Sequence, residues 1–171
     1  MLYRIVPLTR EEAEQISTWV YKPPFSIYSF EPTEDTIQEL LQDDYHAVYD
    51  ESNSLCGFFC FGDAATVKNG EAFYNDEALD IGLALAPSLC GQGLGLQFLH
   101  EGVLYARKHY PQAQALRLSV LVWNLRARRL YQRYGFQYIG SFERPTPMDP
   151  VEFVVMLFTG ESLAEYVTSA V

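Results

Sequence analysis

Three glycines at alternate positions stand in the run Cys90-Gly91-Gln92-Gly93-Leu94-Gly95-Leu96, directly ahead of an apolar helical pattern. Glycine leaves main-chain N–H groups unobstructed, and a helix N-terminus adds unpaired amides and a favourable dipole, so such a turn suits an anion. The residues before it, Leu79 to Ala86, read as a strand. Strand, glycine turn and helix in this order form a seat for a phosphate or pyrophosphate group. A P-loop is excluded because no Lys-Ser/Thr pair closes the turn. A dinucleotide fingerprint is excluded because Gly91, Gly93 and Gly95 give G-x-G-x-G instead of G-x-G-x-x-G. A glycine turn that holds no ligand stays open as the plain alternative.

A second signal lies downstream. Leu116 to Trp123 is rich in β-formers, and Asn124 is a good N-cap for a following helix. Ala127, Leu130, Tyr131 and Tyr134 recur at helical spacing and form one apolar stripe. Gly135 is placed to end that helix in a left-handed turn, and Phe136 opens the next strand. Arg126, Arg129 and Arg133 make a basic stripe beside the apolar one.

Together the two segments resemble the GNAT superfamily of acetyl-CoA-dependent N-acyltransferases. That family's glycine motif, Arg/Gln-x-x-Gly-x-Gly/Ala after its fourth strand, corresponds here to Cys90, Gly93 and Gly95. Its later pattern is matched by Asn124, Ala127, Leu130, Tyr131, Gly135 and Phe136. The motif-level resemblance covers about Leu79 to Phe142. It implies acetyl-CoA as co-substrate and no metal. It also implies cofactor contacts from the turn Cys90, Gly91, Gln92, Gly93, Leu94, Gly95 and Leu96, with Leu83, Leu85, Asn124 and Arg126 beside it. Cys90 departs from the family's Arg or Gln, which leaves a weaker cofactor grip open, with the Gln92 amide as a substitute.

Acetyl transfer to nitrogen sets further requirements. A lysine-like ammonium has a pKa of about 10.4, so a base or water relay must take its proton before attack. Asp80, at the start of the strand before the turn, is the first candidate, with Glu77 next and Glu71 and Asp76 in the same polar stretch. A main-chain N–H of that strand can polarise the thioester carbonyl. The resemblance implies that Tyr131 protonates the departing CoA thiolate. Packing alone also accounts for Tyr131, as helix capping does for Asn124. A non-catalytic acyl-CoA sensor is the rival reading, favoured by Cys90 and opposed by Tyr131.

Acceptor choice is expected from the loops. Trp19, Tyr21, Phe25, Tyr28 and Phe30 offer aromatic area to wall a pocket or cage a cation, and hydrophobic packing is the alternative. Glu77 is the acidic candidate for the same acceptor, and Pro145 to Pro150 is a second candidate wall.

The elements that must position these residues follow from the pattern. A strand over Tyr3 to Pro7 precedes a helix capped by Thr9 and Glu12 that runs to about Val20. A second helix covers Thr33 to Gln42, and Tyr45 to Asp50 with Leu55 to Phe61 form a hairpin. Asp63 to Ala78 reads as loop, the helix from Gly93 stops at Pro111, and strands near Phe136 to Glu143 and Val151 to Phe158 follow. The tail after Gly160 is either a short helix or frayed. The order β-α-α-β-β-β-α-β-α-β-β predicts an α/β domain with a mixed sheet, in agreement with the GNAT resemblance, which implies a single domain with a mostly antiparallel sheet flanked by helices.

At 171 residues, with 49% hydrophobic and 15% aromatic content, the chain can fill the core of one domain. Its net charge of −10 argues against a nucleic-acid surface and leans towards cationic acceptors, whether small amines, polyamines or peptides. No run spans a bilayer, no secretory leader is evident, and three sparse cysteines carry no zinc signature, so a reduced cytoplasmic setting is expected. A homodimer is compatible with the resemblance.

Overall fold

The computed structural model describes residues 2–160, and the chain divides into two compact units. Unit one comprises Met1–Ala64 and Gly82–Lys108, and unit two comprises Ala65–Ile81 and His109–Val171. The seven strands follow the order β1-β2-β3-β4-β5-β7-β6, with β4 contributing to both units.

In unit one, β1 (Arg4–Pro7), β2 (Tyr45–Tyr49) and β3 (Leu55–Phe61) pair antiparallel in a meander. Helix α1 (Arg10–Ser17) begins with the expected capping box. The Glu12 carboxylate accepts from the Thr9 backbone N–H at 2.9 Å and from the Thr9 hydroxyl, satisfying donors at the helix start. The helix ends at Ser17, short of Val20, because the next turn closes onto Gln15 and Ile16 and drives Trp19 into the core. Helix α2 (Glu34–Gln42) is capped by Thr33, and Arg10 of α1 bridges to Glu34 at 2.6 Å. Ala13, Ile16, Trp19, Ile37, Leu40 and Phe58 pack as one cluster under these helices. Helix α3 (Gly95–His109) buries Phe98, Leu99 and Val103 on one face. It starts at Gly95 and not at Gly93, because Gly93 has φ +78° and a right-handed helix needs negative φ.

In unit two, the start of β4 (Ala78–Leu85) pairs parallel with β5 (Ala115–Leu121) from Ala78↔Ala115 to Asp80↔Arg117. β5 then pairs antiparallel with β7 (Val151–Phe158), which pairs with the edge strand β6 (Gln137–Arg144). Alternation gives β5 two faces. Leu116, Leu118 and Val120 are buried on one, the face where β7 carries Phe158 against Tyr134 of α4 (Leu125–Tyr134) at 5.3 Å. Arg117, Ser119 and Leu121 occupy the other. There the segment before β4 packs through Phe73 onto Phe142, which stacks on Phe153. The tail expectation falls on residues 161–171, outside the described range. Among the described residues no helix is long and apolar enough to cross a membrane.

Candidate active site

In unit one the site begins at the end of β4. A short 3-10 turn, Pro87–Leu89, leads into Gly91 and Gly93, both left-handed with φ of +79° and +78°. Only glycine takes such angles without strain, so the alternation read from the sequence has a conformational cause. Gly91, Gln92 and Gly93 are exposed, whereas Leu94, Gly95 and Leu96 are half-buried. Among the described residues no protein acceptor takes the amide hydrogens of Gly91, Gly93, Leu94 or Gly95. Gln92 turns its side-chain amide back onto the Ser88 carbonyl at 2.7 Å, so it braces the turn. The Cys90 thiol is directed inward, 3.8 Å from the Leu85 carbonyl oxygen and 3.6 Å from that of Ala86.

The aromatic loop divides into two kinds of residue. Tyr21 donates its hydroxyl to the Leu85 carbonyl at 2.7 Å, which fastens the loop to the end of β4 beside Leu83. Burial, with Cys90 nearby, raises the Tyr21 phenol well above its ordinary value, so it stays a donor. Phe25 and Tyr28 bracket a 3-10 turn, Phe25 half-buried and Tyr28 exposed. Trp19 is different. It is buried, stacked on Phe58 at 6.3 Å, and its ring belongs to the core rather than to a loop wall.

In unit two, sequence reasoning missed the residue that organises the segment ahead of β4. Arg117 is buried, and all five of its guanidinium N–H groups are used. Its Nε and Nη2 donate to Asp80 at 2.8 and 2.6 Å, Nη1 donates to the Phe73 carbonyl and Asn75 Oδ1, and Nη2 also donates to the Asn75 carbonyl. The Tyr74 ring lies under the guanidinium, 5.2 Å from its carbon, and the Tyr74 hydroxyl pairs with Ser119 Oγ at 2.9 Å. This corrects the expectation for Asp80. A carboxylate 5% exposed, with both oxygens on a guanidinium, is a structural counter-ion and not a base open to substrate. The missed signal was an arginine inside the apolar alternation Leu116 to Val120, which cannot be buried without a partner.

Glu77 is exposed, and its backbone N–H donates to Asn75 Oδ1 at 3.2 Å. Asn124 caps α4 by accepting from the Ala127 amide at 3.2 Å, as its type and position foretold. Arg126, Arg129 and Arg133 line α4, while Arg128 donates to the Val122 carbonyl at 2.6 Å. Tyr131 is buried, its ring 6.0 Å from that of Phe136.

The acetyltransferase (GNAT) family pattern matches residues 11–136, a span that takes in the glycine turn, Asn124 and Tyr131. The chain belongs to the GNAT acetyltransferase family. Solved GNAT structures share the fold across nearly the whole chain. One is the aminoglycoside acetyltransferase AAC(6')-Ib in complex with coenzyme A, 20% identical, with a TM-score of 0.72 over 96% of this chain and 98% of that one. The same enzyme with paromomycin and acetyl-CoA is 19% identical, with a TM-score of 0.72 over 100% of this chain and 99% of that one. A chimera of the spermidine N-acetyltransferase SpeG from Vibrio cholerae and hSSAT is 17% identical, with a TM-score of 0.69 over 98% of this chain and 99% of that one. The mixed, mostly antiparallel architecture expected from the GNAT resemblance is therefore the observed one.

Proposed function

We propose that this GNAT chain transfers the acetyl group of acetyl-CoA to a primary amine of a small amine, a polyamine or a peptide. The glycine turn carries the reading. Its amides at Gly91, Gly93, Leu94 and Gly95 have no protein acceptor among the described residues, at the start of a 15-residue helix. Uncommitted donors at a helix N-terminus fit the pyrophosphate of coenzyme A. The arginines of α4 add local positive charge in a chain of net charge −10.

Acetyl-CoA supplies the acetyl group as an activated thioester. In this scheme Leu83 and Leu85 present β4 main chain towards the thioester, and Asn124 and Arg126 add cofactor contacts. Tyr131 holds a phenolic proton for the departing thiolate. Glu77, exposed and held through its own amide, takes the amine proton through water, the role that Asp80 cannot fill. Tyr21, Phe25 and Tyr28 wall the acceptor, with Trp19 supporting them from the core. The net charge favours a cationic acceptor, and the solved neighbours include enzymes named for aminoglycosides and spermidine.

Calorimetric titration with acetyl-CoA and with NAD, followed by CoA release on addition of spermidine, kanamycin or a free N-terminal peptide, tests this. Binding of acetyl-CoA alone and turnover on one amine is the expected result. Failure to bind acetyl-CoA overturns the reading. Binding without turnover on any amine replaces it with a sensor.

A further inference from the structure

The segment from Thr66 to Glu77 belongs to no strand or regular helix, yet it leads directly into β4. Its own backbone hydrogen bonds are local turns, Gly70 to Val67, Phe73 to Gly70 and Tyr74 to Glu71, and the Val67 N–H donates to the Tyr74 hydroxyl at 2.8 Å. Loops held only by such turns are mobile unless side chains fasten them. Here Arg117 fastens it, together with the Tyr74–Ser119 hydrogen bond and the packing of Phe73 on Phe142. The guanidinium holds two nearby points of the segment, the Phe73 carbonyl at 2.6 Å and the Asn75 carbonyl at 3.2 Å. It also donates to Asn75 Oδ1 at 3.1 Å, and that oxygen in turn accepts from the Glu77 amide at 3.2 Å. One side-chain oxygen therefore joins a buried cation to the backbone of an exposed carboxylate residue.

Resting on the acetyl-transfer reading above, we propose that Arg117 and Asn75 are positioning residues that fix Glu77 for deprotonating the acceptor amine. The cation is saturated with hydrogen bonds and 2% exposed, so it moves little. Asn75 conveys that fixed position across two residues to Glu77. Asp80 completes the device by neutralising Arg117, which leaves Glu77 as a carboxylate beside β4 that is open to solvent. A base held within hydrogen-bond reach of its proton is worth far more than the same base on a loose loop, and small displacements are costly.

The test is a double-mutant cycle on Asn75 and Glu77, with the Asn75→Asp variant as rescue. The probes are acetyl-CoA and whichever of spermidine, kanamycin or a free N-terminal peptide the wild-type protein turns over. Asn75 is exposed, and its replacement removes one acceptor of Arg117 Nη1, whereas the two hydrogen bonds from Arg117 to Asp80 do not involve it. Glu77→Gln is expected to lower kcat/KM for the amine by about 100-fold, with acetyl-CoA affinity unchanged. Asn75→Ala is expected to lower it by about 10-fold, with acetyl-CoA affinity unchanged, and Asn75→Asp, which keeps an acceptor oxygen, to restore most of it. The double variant is expected to match Glu77→Gln alone, because the two residues act as one unit. Additive losses, an unaltered Asn75→Ala, or a Glu77→Gln that keeps wild-type turnover overturns the proposal while leaving acetyl transfer standing. Wild-type protein that binds acetyl-CoA and acetylates none of the amines overturns both.

Discussion

Arg117 grips Asp80 through two parallel N–H···O contacts of 2.8 and 2.6 Å, on the Asp80↔Arg117 rung of the parallel β4–β5 ladder. Both side chains are nearly withdrawn from solvent, at 3% and 6% exposure. Removing one member of such a pair strands a charge in the interior. Arg117→Ala is therefore expected to cost about 3–5 kcal/mol of stability, and adding Asp80→Ala is expected to recover part of that loss. Urea unfolding of the two single variants and the double variant measures it, and strict additivity contradicts the coupling.

Thiol chemistry separates the three cysteines. Burial pushes the Cys60 thiol up to about 12 and the Cys56 thiol up to about 11, so neither forms thiolate near neutrality. Cys90 is half-buried, next to the glycine turn. In native protein a thiol-specific disulfide reagent at pH 8 is expected to modify Cys90 alone, and saturating acetyl-CoA to slow that reaction. Mass spectrometry of the labelled peptides gives the answer; equal labelling of Cys56 contradicts the burial.

Glu12 supplies an acid-sensitive contribution to α1. Burial alone would raise its carboxyl, but hydrogen bonds from Thr9 and Tyr49 and from backbone amides outweigh it and hold the group below its ordinary 4.5. The unfolded chain thus takes up this proton first as pH falls. The associated stability is present above about pH 4.5 and is lost as pH drops through the folded value. Glu12→Gln is expected to flatten the fall in unfolding free energy between about pH 5 and pH 3, read by chemical denaturation across that range. A variant curve parallel to wild type removes the assignment.

Tyr131→Phe keeps the ring against Phe136 and deletes only the hydroxyl. If the phenol protonates the leaving thiolate, kcat falls by about 100-fold while acetyl-CoA affinity holds. Steady-state CoA release together with calorimetry distinguishes this from a packing role, for which kcat would not change.

Gly93→Ala isolates backbone conformation from crowding. A Cβ at this position meets nothing within 4 Å, yet φ of +78° is left-handed. Strain of about 1–2 kcal/mol is the expected cost, visible as a lower unfolding midpoint, with weaker acetyl-CoA binding as the turn distorts. Unchanged binding would show that these amides do not hold the cofactor.

Much of this protein was legible along the chain because its physics is local. Capping by Thr9 and Asn124, the left-handed stop at Gly135, the strand periodicities and the glycine alternation each depend on residues within a few positions of one another. The element order and the glycine turn could therefore be read directly. The carboxylate left open to solvent could not. Asp80 and Arg117 stand 37 positions apart, and Arg117 meets Phe73 and Asn75 across 44 and 42. Trp19 likewise read as a loop residue until Phe58, on β3, turned out to be its stacking partner. Burial and ion pairing are properties of neighbours brought together by folding. The sequence by itself determined which residues carry charge and which make turns; only the tertiary structure decided which carboxylate is neutralised in the interior and which stays open to solvent.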